Sequence, residues 1–115
     1  MDLETFTRLA DEALAQHLRQ PEMIWIYRAL STKHSDLGDF KKALEYITRA
    51  EKIADELFQT REHEQFVYIW LTKVEILLKK LTTGTEDEYI EPILIAKEAT
   101  DLAKRIFGEK TFITN

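Results

Sequence analysis

At 115 residues, with 44% apolar and 32% charged side chains, the chain has the size of one domain and enough apolar surface for a core. A net charge of −5 argues against a nucleic-acid or anionic-membrane partner, because phosphate contacts need clustered lysine and arginine. The absence of cysteine excludes a disulfide framework and a thiolate zinc site and fits a cytoplasmic location; the acidic start Met-Asp-Leu-Glu is not a secretory signal, and no stretch approaches the ~18 apolar residues of a membrane span.

Apolar residues recur at helical spacing along nearly the whole chain. Residues 3–18 carry a stripe through Phe6, Leu9, Ala10, Ala13 and Leu18, with Asp2 as N-cap and Glu4 in the first turn, where the helix dipole favours a carboxylate. Gln20-Pro21 breaks this helix, and Pro21 suits the first position of the next. The second helix carries Ile24, Tyr27, Leu30 and Leu37 and stops at Gly38, a left-handed C-cap. Asp39 caps a third helix that runs to about Phe58. A fourth is expected over residues 61–81 with Thr60 as cap and Phe66, Ile69, Trp70, Val74, Leu77, Leu78 and Leu81 as its apolar set. Gln59-Thr60-Arg61 holds neither Gly nor Pro, so the third and fourth helices are either separated by a turn or nearly continuous. The clear loop is residues 82–88, in which Thr85 and Glu88 have capping-box spacing. The last helix starts near Glu91, or starts earlier and kinks at Pro92, and ends at Gly108 before a tail, 109–115. No strand pattern survives.

One segment occurs twice. Residues 39–58, DFKKALEYITRAEKIADELF, lie without a gap on residues 88–107, EYIEPILIAKEATDLAKRIF. Phe40 meets Tyr89, Leu44 meets Ile93, Ala50 meets Ala99, Ala54 meets Ala103 and Phe58 meets Phe107. Small stays small and bulky stays bulky. Repetition at this spacing implies stacked supersecondary units, because one unit cannot bury its own apolar face. Ala43, Ala50, Ala54, Ala99 and Ala103 leave room for helices to approach, and Tyr46, Ile47, Ile53 and Leu57 fill the space around them.

The helix pair over residues 24–55 resembles a tetratricopeptide repeat. Leu37-Gly38-Asp39-Phe40-Lys41-Lys42-Ala43-Leu44-Glu45-Tyr46 is similar to that family's turn and second-helix signature, and Tyr27 and Leu30 fall on the bulky positions of its first helix. Ser31 stands where Gly or Ala is usual, Asp55 where Pro is usual, and in the second copy Pro92 where Ala43 stands in the first. Tyr27 to Trp70 spans 43 positions, against roughly 34 in the common form, so the resemblance is to the long-unit form found in kinesin light chains. Residues 3–18 align with the third helix, Phe6 with Tyr46 and Ala10 with Ala50, as the second helix of a unit whose first is missing. The resemblance implies an all-α domain over residues 1–115. It is built of antiparallel helix hairpins stacked as a short right-handed α-solenoid of about five helices: a half unit 1–20, units 21–58 and 61–108, and the tail.

Little in the chain points to chemistry. The di-iron bundle motif needs Glu three residues before His, but Leu14, Ser31 and Thr60 precede His17, His34 and His63. His63-Glu64 lacks the second His of a zinc protease, and there is no phosphate loop or nucleophile elbow. Glu62-His63-Glu64 reads as a solvated charge run. No catalytic, metal or cofactor residue is assigned.

In the family, the first helix of each unit lines a groove. The matching positions are Trp25, Arg28, Thr32 and Ser35 in the first unit and Tyr68, Leu71, Glu75 and Leu78 in the second. The Lys and Asn set that clamps a C-terminal carboxylate is absent. Trp25 and Tyr68 either anchor a peptide with bulky side chains or belong to the core. The resemblance implies a noncatalytic adaptor that binds a peptide or protein segment. The alternative is a self-associating regulatory or peptide-sensing domain, a homo-oligomer through the apolar end beside residues 3–18.

Overall fold

The structure is a computed structural model and describes residues 2–16, 20–81 and 84–108. Among these residues all regular structure is helical: α1 Leu3–Ala15, α2 Gln20–Asp36, α3 Phe40–Phe58, α4 Glu64–Lys80 and α5 Glu86–Phe107. His17, Leu18, Thr82, Thr83 and the tail 109–115 lie outside the described residues.

Local chemistry fixes the helix ends. Asp2 caps α1 by accepting from the Thr5 N–H at 2.7 Å, and that bond holds its carboxyl below the ordinary carboxylate value. Pro21 sits in the first turn of α2, where its missing N–H costs nothing. At the other end Gly38 has φ 83, the Gly38 N–H donates to the Ser35 carbonyl at 3.0 Å, and the Asp39 N–H donates to the His34 carbonyl at 2.9 Å. This pair of bonds is a Schellman cap, which needs the left-handed conformation at the glycine. Leu37 therefore falls outside α2 and is 67% exposed, contrary to its expected place in the apolar stripe. Asp39 then caps α3 through the Lys42 N–H.

A turn does separate α3 from α4. Gln59 takes the left-handed conformation, φ 54, although it is not glycine. Side chains hold it there. The Arg61 guanidinium donates to both carboxylate oxygens of Asp55, at 3.0 and 2.8 Å, and lies over the rings of Phe66 and Trp70. The Trp70 indole N–H donates to Glu51 at 2.8 Å. The helix starts at Glu64, and its cap is His63 rather than Thr60: the imidazole Nδ1 accepts from the Gln65 N–H at 3.1 Å while the ring stacks on Phe58 at 3.6 Å. His63 is thus half-buried and structural, and the charge-run reading does not hold for it. The hydroxyl of Thr60 instead accepts from the Glu62 N–H within the turn.

The last helix starts early and runs through Pro92. Proline at this seventh position removes one helical donor, and its ring is buried. The Glu88 carboxylate reaches back to the Gly84 N–H at 3.1 Å, one residue before the Thr85 cap.

Packing follows chain order. α2 lies along α3 and α4 along α5; α4 also touches α2 and α3, while α1 approaches α2 alone. The core between them uses the small residues expected of it. Ala43, Ala50, Ala54 and Ala99 are fully buried and Ala103 nearly so, surrounded by Ile24, Ile47, Phe66, Ile69, Ile76 and Leu102. Ser31 is fully buried and its hydroxyl donates to the Ala43 carbonyl at 2.8 Å, so a polar residue occupies a close helix contact without an unmet bond. Tyr27 stacks on Tyr46 at 6.0 Å between α2 and α3.

The two copies of the repeated segment agree over their second halves and differ over their first. Phe40 and Leu44 are half-buried against the core, whereas their partners Tyr89 and Ile93 are 38% and 61% exposed. The reason is position. The start of α3 faces Leu77 and Leu81, but no described helix follows α5 to cover its first turns.

Candidate functional site

The residues singled out on α2 and α4 come out as one face, with one exception. Trp25 is 55% exposed, Tyr68 37%, Leu71 47% and Leu78 45%. Thr32 and Glu75 are also exposed, and Arg28 is half-buried. Trp25 and Tyr68 therefore both reach solvent rather than lying wholly in the core. Ser35 is the correction. It is buried at 5%, because it lies two helical turns below Arg28 on the edge of α2 that turns inward beside Ser31 and His34.

Two helices position this face. α2 and α4 touch, and Trp25, Arg28, Ala29 and Thr32 meet Thr72 across a shallow cleft of about 250 Å³. Arg28 joins the helices at the floor. Its guanidinium lies 5.2 Å from the centre of the Tyr68 ring, and Nη1 donates to Gln65 at 3.5 Å. Burial lowers the Arg28 pKa from its ordinary value. The Thr72 hydroxyl is turned along its own helix to the Tyr68 carbonyl at 2.8 Å. Lower down, Lys79 bridges α4 to α2 by pairing with Asp36 at 3.0 Å and with Glu75 at 3.2 Å. Glu75 is therefore half of an ion pair, and the face offers a ligand aromatic and aliphatic surface more than charge.

Two further apolar surfaces are exposed, the first at the end beside residues 3–18 that the sequence reading expected to be uncovered and the second not foreseen. The first is a cleft of about 380 Å³ between α1 and α2, walled by Phe6, Leu9, Ala13, Trp25, Ile26 and Ala29. Trp25 and Ala29 line both this cleft and the α2–α4 cleft, so the two adjoin. The signal was present in the sequence: α1 has apolar residues on either side of buried Ala10, more than one contact with α2 can cover. The second surface is the first half of α5, where Tyr89, Ile90, Ile93 and Leu94 are all exposed.

Among the described residues no group of His and carboxylates can hold a metal ion, and no helix is long and apolar enough to cross a membrane. His34 is buried at 4%, packed on Tyr46 at 5.2 Å, with Nδ1 3.7 Å from Asp39. Compared with protein-family models, curated proteins and solved structures, the chain matches none.

Proposed function

We propose that this chain is a noncatalytic interaction module, built from long tetratricopeptide-like units, that binds a peptide or protein segment on the face of α2 and α4. The observation that carries the reading is the exposure of Trp25, Tyr68, Leu71 and Leu78 on two helices that touch. Large apolar side chains held in solvent on a packed scaffold are the usual anchors of an interface. The unit register is supported by the contacts of α4, which meets both α2 and α3 as the first helix of a following unit would. It is supported also by the matched burial of Ala50 with Ala99 and of Ala54 with Ala103. The preferred ligand is an extended or helical segment with bulky side chains, since the half-buried Arg28 is already engaged with Tyr68 and Gln65.

A display selection of random peptides against the chain tests this. The selected peptides are expected to be rich in aromatic and aliphatic residues, and the variant Trp25→Ala with Tyr68→Ala is expected to bind them at least about tenfold more weakly. Ligands that bind the double variant as tightly as the parent would remove this face from consideration.

A second reading, a self-associating regulatory domain, is favoured by the exposed stripe Tyr89, Ile90, Ile93 and Leu94. Light scattering is then expected to give a dimer at high concentration that Ile93→Lys returns to monomer. A monomer at every concentration would end that reading.

A further inference from the structure

We infer that the cleft between α1 and α2 is an acceptor groove for one amphipathic α-helix supplied by a protein partner. This rests on the unit register proposed above, and the chain carries its own template for the complex. Moved by 40 positions, α1 lies on α3: Phe6 on Tyr46, Leu9 on Arg49, Ala10 on Ala50. Moved by 43 positions, α2 lies on α4: Trp25 on Tyr68, Ile26 on Ile69, Ala29 on Thr72. The groove between α3 and α4 is the counterpart of the cleft between α1 and α2. That groove is filled, and α2 fills it. Tyr27 stacks on Tyr46 at 6.0 Å, Arg28 lies over Tyr68 at 5.2 Å, and Ser31 donates to the Ala43 carbonyl of α3. No described helix lies in the α1–α2 cleft, and its walls leave Leu9 42% and Trp25 55% exposed.

The substitutions between the two grooves define the guest. Leu9 stands where Arg49 covers the Tyr27 ring, Ala13 stands where Ile53 stands, and Ala29 where Thr72 stands. The empty cleft is therefore wider and less polar than the filled one. It fits a helix that, like α2, presents apolar side chains on the spacing of Tyr27 and Leu30. Lys33 lies 6.0 Å over the Phe6 ring at one rim and favours a guest with a carboxylate there. A second copy of the chain is the poorer occupant, since its helix of the matching spacing, α2, is already packed on its own α3 and α4.

The test uses the template as probe: a fluorescein-labelled peptide with the sequence of residues 20–36, titrated into the full chain and followed by anisotropy. Saturable binding is expected. Leu9→Asp, a change at an exposed position, is expected to weaken it at least about tenfold, while Lys97→Ala, at an exposed position of α5, leaves it within about twofold. Circular dichroism of both variants checks that the fold is kept. Absence of saturable binding overturns the inference. So does binding that Leu9→Asp does not weaken, which would mean the peptide displaces α2 from the α3–α4 groove. A chain that dimerises by itself and is dispersed by Leu9→Asp overturns it in favour of a second copy. Failure of the α2–α4 face is separate: selected ligands insensitive to Trp25→Ala with Tyr68→Ala, beside a peptide still sensitive to Leu9→Asp, would sink that reading and leave this one standing.

Discussion

Phe66→Ala is expected to cost about 3–5 kcal/mol of folding free energy. Phe66 is fully buried in the first turns of α4. Its ring meets Trp70 at 5.6 Å on one side and the Arg61 guanidinium at 5.5 Å on another. Truncation removes the transfer free energy of the ring and leaves a cavity between helices that cannot close without moving the turn at Gln59. Arg61 would keep its pairing with Asp55 but lose one of the two rings beneath it. A domain of this size has roughly 5–15 kcal/mol in total, so the variant loses a large share of its stability and could fall below what keeps it folded at 37 °C. Urea unfolding of parent and variant measures the difference. A loss under about 1 kcal/mol would mean that the α3–α4 junction repacks freely, and the packing account of the core would be wrong.

Ala50→Leu and Ala99→Leu are expected to destabilise by similar amounts, about 1–3 kcal/mol each. Both alanines are fully buried, and they occupy matching places in the repeated segment. Ala50 lies in α3, which packs on α2, and Ala99 in α5, which packs on α4. A leucine at either would push the two helices apart or force a strained rotamer. Ala15→Leu is the control, because Ala15 is exposed at the end of α1; it should change stability by less than about 0.5 kcal/mol. Thermal melts of the three variants decide the matter. If Ala99→Leu were as harmless as Ala15→Leu while Ala50→Leu was not, the two segments would not be structural equivalents, and the unit register would fall.

Much of this fold is legible in the sequence because local signals agree with packing. Asp2, Pro21, Gly38 and Asp39 mark helix ends by chemistry that acts within three or four residues. The buried alanines are legible because the segment repeats. The boundary between α3 and α4 is not, because its turn uses Gln59 in a conformation that glycine usually takes. That turn depends on Arg61 reaching Asp55 and on two rings that lie five and nine residues further on. His63 looks like part of a charge run for the same reason: its capping role depends on the stack with Phe58. The exposure of Trp25, Thr32, Tyr68, Leu71, Glu75 and Leu78 agrees with the positions that the repeat resemblance, rather than spacing, singled out on α2 and α4. The same resemblance misplaces Ser35, which shares a stripe with half-buried Arg28. The α1–α2 cleft is a gap between elements, and a sequence encodes gaps only through the surfaces that border them.

The contrast between the two tryptophans has a practical consequence. Trp70 is 7% exposed and its indole N–H is tied to a carboxylate, whereas Trp25 is 55% exposed and lines both clefts. The chain thus contains two indole fluorophores in opposite settings. Water and dissolved quenchers reach the indole of one and are shielded from the other. Emission from Trp25 reports on whatever settles over α2, and emission from Trp70 reports on whether the domain is folded, so occupancy and integrity can be followed optically in one unlabelled sample.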